Sequence, residues 1–206
     1  MKSKFYNSWK KKIYTNKNKI ISSKIIGKVD RGSSEEKLSV IDTKIKTKQG
    51  HKLSRAVILE SPSVVVVPVL KVLNKKKFIV IEQFRISQGK ETIEFPAGAI
   101  KNNQKIQSAL DEIKEEINLN IHKKDLKKLF YKPIMMMPSY NSCLAYFYYF
   151  EKKVDQKTLN KLNNSRAGQI NLGERIKVKV IDEDQIKKIN TSSVVIGIGL
   201  YQRLKK

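Results

Sequence analysis

The order of residues predicts an α+β fold of mixed layers, and three observations carry the prediction. Strand patterning fills the first half of the chain beyond about residue 37, one strongly amphipathic helix sits mid-chain, and a further strand and helix close it. Strands and helices do not alternate one for one, so a βαβ repeat is not expected. With 206 residues, 40% of them hydrophobic, the chain can bury a real core, and wholesale disorder does not fit.

Residues 1 to about 37 are polar and basic and end in the turn-like Asp30-Arg31-Gly32-Ser33-Ser34. Ile41, Thr43, Ile45 and Thr47 then alternate with polar neighbours at strand period. Gln49-Gly50 is read as a hairpin turn, with Leu53 to Glu60 as the returning strand. Val64 to Val72 is expected as a buried strand, Asn74 to Lys77 as a charged turn, and Phe78 to Gln83 as the next strand. In Gln104 to Asn118, Ile106, Leu110, Ile113 and Ile117 recur at spacings of three and four, giving a helix with one apolar stripe. Leu144 to Phe150 is an aromatic strand, followed by a polar loop through Gly173. Ile176, Val178 and Val180 alternate with lysines as another strand, and Ser192 to Leu204 forms the last helix. Met135 to Met137 and Tyr146 to Phe150 are expected in the core.

The charge sum is +24, yet only six of the 43 cations are arginine. Readers of bases and phosphates favour arginine forks, so a coding bias toward Lys, Ile and Asn explains the charge better than a dedicated nucleic-acid surface. Cys143 is the one cysteine, which excludes a disulfide framework and a thiolate metal cage and fits a reduced, cytoplasmic setting. It is expected as a buried small hydrophobe. His51 and His122 are too few for a His-rich metal site. The longest apolar run, SVVVVPVL from Ser63 to Leu70, is too short to span a bilayer, so no membrane partner is expected. The basic N-terminal stretch lacks the apolar segment of a signal peptide.

At about 100° per residue, Glu112, Glu115 and Glu116 share a helix face beside the apolar stripe. Like charges at that spacing repel unless a cation sits over them. Carboxylate oxygens without imidazole or thiolate suit Mg²⁺ or Mn²⁺, not Zn²⁺. The plainer alternative is a solvated face whose glutamates pair with lysines. Ahead of the helix stand Phe84-Arg85 and then Glu94-Phe95-Pro96-Ala97-Gly98, where proline fixes a bend and glycine lets the backbone pass close to what the helix binds.

These residues resemble the Nudix hydrolases, and among them the ADP-ribose and nucleotide-sugar pyrophosphatases. Gly98 is similar to the glycine that opens the Nudix box, and Asp111 to Leu119 (DEIKEEINL) to its second half. IEQFR (Ile81 to Arg85), EFPAG (Glu94 to Gly98) and LGERI (Leu172 to Ile176) resemble flanking segments of that branch, and the likeness spans roughly Leu38 to Leu204. It implies a mixed sheet sandwiched between helices, with an antiparallel β-module in residues 1–60, which serves dimerisation, and a hydrolase domain in 61–206. It further implies Mg²⁺ or Mn²⁺ held by Glu112, Glu115, Glu116 and the Ala97 carbonyl. Glu115 and Glu174 are then the catalytic carboxylates, and Arg55, Arg85, Glu94 and Gly98 lie at the substrate. The implied reaction splits a nucleoside diphosphate sugar such as ADP-ribose into a nucleoside monophosphate and a sugar phosphate, in a homodimer.

The chain departs from the box at three places. Its first glutamate falls on Asn103 or Gln104, its arginine on Asp111, and its late glycine on Asn118, the next-best residue for a left-handed helix cap. Lys105 or another cation is a candidate to replace the arginine, and Trp9 a candidate to stack on a base. The alternative reading is a catalytically weakened protein of the same fold that binds RNA or a nucleotide through its basic surface.

Overall fold

The computed structural model describes residues 3–31, 35–73, 75–168 and 175–204. The chain divides into two compact units, one of residues up to Pro62 with Met135–Leu144, the other of Ser63–Ile134 with Ala145 onward.

In the first unit, α1 (Lys4–Thr15) precedes β1 (Lys19–Arg31), β2 (Glu35–Lys46) and β3 (Lys52–Glu60), which form an antiparallel sheet in the order β1-β2-β3. Ser3 caps α1 by accepting the Tyr6 N–H at 3.0 Å, and its own hydroxyl accepts from Ser39 at 3.2 Å. Alternation in β2 and β3 survives in the register, Ile41 opposite Val57 and Ile45 opposite Leu53, and Ile41 and Leu59 are fully buried. The stretch 135–144 is stitched to β3. Ile58 donates to the Tyr140 carbonyl at 2.7 Å and accepts from the Ser142 N–H at 2.9 Å, while Asn141 reaches the Glu60 carboxylate at 2.5 Å.

The second unit contains β4 (Ser63–Val72), β5 (Lys75–Arg85), a 3₁₀ turn at Ile86–Gln88, β6 (Lys90–Glu94), β7 (Ala97–Ala99), α2 (Lys105–Ile117) and β8 (Lys127–Lys128). Next along the chain come β9 (Ile134–Met135) and β10 (Leu144–Lys153). Then follow α3 (Gln156–Leu162), β11 (Arg166–Ala167), β12 (Ile176–Ile181), α4 (Glu183–Ile186) and α5 (Ser192–Arg203). The sheet runs β11-β12-β5-β4-β10-β8, with β6 on β5 and β7 on β4. Strands β4 and β10 are parallel and the neighbouring pairs antiparallel, which makes the sheet mixed. Pro68 falls between the part of β4 that pairs with β7 (63–65) and the part that pairs with β5 (69–72), a gap that tolerates a residue with no N–H.

Ile113 and Ile117 of α2 pack on Val64, Val66, Leu70, Ile79, Ile81 and Val178 on one sheet face. On the other face lies α5. A Cβ on its Gly197 would meet Phe95 and Val67 at 2.9 Å, and its Tyr201 ring packs edge-on to Phe78 and Tyr149. The sheet between helices is therefore observed as expected. Burying one isoleucine such as Ile113 contributes about 1.5–3 kcal/mol, so this two-sided core holds the unit together.

Four elements differ from the sequence expectation. Residues before 37 hold α1 and β1, not an unpatterned segment. Register shifts at Ile20/Ser22, Ile25/Gly27 and Val29/Asp30 break the period of two that betrays a strand. Lys75, Lys76 and Lys77 belong to β5, not to a turn, and Asn74 lies outside the described residues. The polar loop after β10 contains α3, capped by Asp155 and buried only through Leu159 and Leu162, too few apolar positions to show a stripe. Met135 and Met137 are exposed, and Cys143 is half-buried with its thiol 4.0 Å from the Ser61 carbonyl, so the core comes from Phe147, Tyr148 and Phe150 instead.

Candidate functional site

Strand β7 lies along the start of β4, Ala97 opposite Val65 and Gly98 opposite Val64. The bend before it is fixed from three sides. The Pro96 carbonyl accepts the Val66 N–H at 2.9 Å, Phe95 is fully buried, and Thr191 donates to the Ile93 carbonyl at 2.6 Å. Across from it, α2 begins after a turn in which Asn102 and Asn103 are both left-handed. Ser108 accepts the Lys101 N–H at 3.0 Å, tying that turn to the helix, and Asn118 ends the helix at φ 51° as the cap foreseen from sequence.

Two helix carboxylates close on the β7 backbone. Glu116 Oε2 accepts the Ala97 N–H at 2.9 Å. Glu112 lies against Gly98, where a Cβ would stand 1.9 Å from Oε1. The two glutamates are 7% and 9% exposed, low values for charged side chains. Glu115 is half-buried, with Lys101 Nζ 3.7 Å from Oε1, and its main-chain carbonyl accepts the Gly168 N–H at 3.1 Å. Among the described residues no three His, Cys, Asp or Glu side chains form a group that could hold a metal ion. Glu174 lies outside the described residues.

Arg85 and Glu94 sit on the same face of the β5–β6 hairpin and form a two-pronged ion pair, Nε to Oε1 and Nη2 to Oε2, each 2.7 Å. Thr92 adds a hydrogen bond to Oε1 at 2.6 Å. Burial works to raise the Glu94 carboxyl, but the bonds from Arg85 and Thr92 and the guanidinium charge outweigh it and hold the group below the usual carboxylate range. Arg55, on β3 of the first unit, is exposed and donates to the Ser54 carbonyl at 3.1 Å. Asp111 accepts from Gln107 one turn back at 2.8 Å. Lys105 lies over the Tyr146 ring at 4.8 Å, so it is Lys101 that stands beside Glu115. Trp9 stacks on Tyr6 within the first unit.

In fold, the chain matches the crystal structure of an ADP compounds hydrolase with a TM-score of 0.61 over 91% of this chain and 93% of that one, at 15% identity. In sequence, it is 28% identical over 168 residues to Nudix hydrolase 14, chloroplastic, of Arabidopsis thaliana, an alignment covering 76% of this chain. The chain is Nudix-like in sequence and in fold. This Nudix-like chain spans 54% of the length of that curated relative. No protein-family model matches it. Among the described residues no helix is long and apolar enough to cross a membrane.

Sequence reasoning missed the supports of these side chains. Thr92 carries a signal, standing two residues before Glu94 and so on the same strand face. Lys101 and Ser108 carry none, because their roles depend on how the turn at Asn102-Asn103 folds back.

Proposed function

We propose that the chain is a divalent-metal-dependent pyrophosphatase of nucleoside diphosphate sugars. It splits a substrate such as ADP-ribose into a nucleoside monophosphate and a sugar phosphate, acting as a cytoplasmic homodimer with residues 1–60 as the dimerising module. The observation that carries this reading is the Glu112–Glu116 pair pressed onto the Ala97-Gly98 backbone. Hard carboxylate oxygens with no imidazole or thiol beside them fit Mg²⁺ or Mn²⁺, and the missing Cβ at Gly98 leaves the carboxylate its room. Glu112, Glu116 and the Ala97 carbonyl would hold the ion, and Glu115, which faces Lys101 here, would have to turn from it to become a further ligand. Such an ion supplies Lewis acidity toward phosphate oxygens and makes water a better nucleophile.

The chain's own groups do the rest. Glu174 or Glu115 takes the proton from the attacking water. Arg85 presents its guanidinium to a phosphate of the substrate, oriented by Glu94, which holds two of its donors. Arg55 is a further substrate contact, and Gly98 keeps the approach to the diphosphate clear. The names of the two related proteins support hydrolysis of a nucleotide-linked diphosphate. The test is release of AMP from ADP-ribose and other nucleotide sugars with Mg²⁺ or Mn²⁺, run beside Glu112→Gln and Glu174→Gln. Turnover lost in folded variants is expected. No turnover of any pyrophosphate at high protein concentration would overturn the proposal.

One observation favours the second reading, a weakened protein that binds RNA. Asp111 offers Gln107 a carboxylate where the box carries a cation. RNA affinity that falls steeply with salt, without turnover, would decide for it.

A further inference from the structure

We propose that a cleft of about 390 Å³ at the carboxyl ends of β4 and β10 binds a small phosphate ester, with Lys127 and Lys153 holding its anionic group.

Register builds the cleft. Lys153 lies beside Lys71 across the parallel pair, Glu151 beside Val69, and Tyr149 opposite Lys127 on β8. Alternate residues of a strand share a face, so Tyr149, Glu151 and Lys153 project together, and α5 adds Tyr201 and Leu204. Glu151 is already matched at both oxygens. Lys71 Nζ stands 2.5 Å from Oε2, and the buried Tyr201 hydroxyl donates to Oε1. Its negative charge is therefore met before Lys127 and Lys153 are counted. No ion pair among the described residues engages either lysine, and Asp125 is the other carboxylate of the lining. Both lysines are exposed and carry an excess of positive charge into the cleft. The Tyr149 ring, braced edge-on by Tyr201, and Leu204 give it an apolar wall. Two lysines beside an aromatic wall, in a volume typical of small-molecule sites, suit a phosphate carried on an organic body.

The cleft is remote from the acidic helix. Lys71 stands seven residues along β4 from Val64, the partner of Gly98, which is about 23 Å of strand. A ligand here leaves Glu112 uncovered, so this proposal stands whether or not the chain hydrolyses anything.

The experiment titrates inorganic phosphate, AMP and adenosine, without metal, into the wild-type chain, Glu112→Gln and a Lys127→Ala/Lys153→Ala double variant. Calorimetry reads affinity, amide chemical-shift mapping reads location, and a thermal melt checks that the double variant is folded. Phosphate and AMP are expected to bind the wild type and Glu112→Gln alike, to move amides near Tyr149 and Lys153, and to bind the double variant at least tenfold more weakly. Unchanged affinity in the double variant would overturn the proposal. So would adenosine binding as tightly as AMP, or shifts confined to α2 and β7. Binding of a single-stranded RNA with no response to AMP or phosphate would assign the patch to a macromolecule and equally reject it.

Discussion

Gly98 and Glu112 share one volume: the space a side chain would take at the glycine is filled by the carboxylate, 1.9 Å from where a Cβ would be. The glycine is not in the left-handed region, so room alone is what the position requires. Gly98→Ala must therefore push Glu112 aside. A displacement of about 1 Å in a catalytic array costs roughly a hundredfold in rate. For the proposed hydrolysis of ADP-ribose, the expected outcome is a loss of at least that order in kcat/KM, measured with saturating Mg²⁺. A variant with wild-type kinetics would show that Glu112 has no part in the chemistry.

Two glycines of α5 are expected to respond to alanine with opposite signs. Gly199 is exposed, and nothing lies within 4 Å of a Cβ built there, so Gly199→Ala gains helix propensity of about 0.8–1 kcal/mol. At Gly197 the same methyl meets Phe95 and Val67 at 2.9 Å, and overpacking of about 1–3 kcal/mol outweighs the propensity gain. Urea melts of the two variants read the difference directly.

The Arg85–Glu94 pair gives stability a defined acid limit. The folded-state pKa of Glu94 lies below its unfolded value, so its contribution is present above the ordinary glutamate range, near pH 4.3, and disappears as pH falls through the depressed folded value. Glu94→Gln should flatten the loss of stability on the acid side in melts between pH 3 and pH 7. Arg85→Lys keeps the charge and loses the fork, and it should raise the Glu94 pKa seen by carboxyl-carbon NMR.

At the alkaline end Tyr201 sets the limit. Burial, then the hydrogen bond and charge of Glu151, push its hydroxyl far above the usual tyrosine value. A raised folded pKa contributes stability that is whole below the unfolded value, about pH 10, and is lost as pH climbs beyond it. Tyr201→Phe should remove that part of the alkaline destabilisation, as read by melts from pH 8 to pH 11.

The second unit was largely legible in the sequence, because its strands and helices bury regular stripes. Val64 to Val72 is a nearly unbroken apolar run, Ile106 to Ile117 carry one helical period, and the C-cap at Asn118 could be named from residue type alone. The first unit was legible only where the period is unbroken, from Ile41 onward. Upstream, β1 changes face at each bulge, so its isoleucines look scattered. Glu112, Glu115 and Glu116 could be set on one helix, but their separate environments could not be foreseen. Whether a carboxylate meets the β7 backbone or Lys101 depends on the Asn102-Asn103 turn, which brings into contact residues as far apart in sequence as Ala97 and Glu116.

The parallel pairing of β4 with β10 has a consequence during synthesis. Ser63 waits for Ala145, about 80 residues further on, and at 5–20 residues per second that interval lasts several seconds. Until then the valine run beginning at Val64 leaves the ribosome with one flank uncovered, the kind of segment that recruits foreign strands. Pro68 in the middle of that run interrupts any such zipper, so the residue that fits a gap in the finished sheet also guards the nascent one.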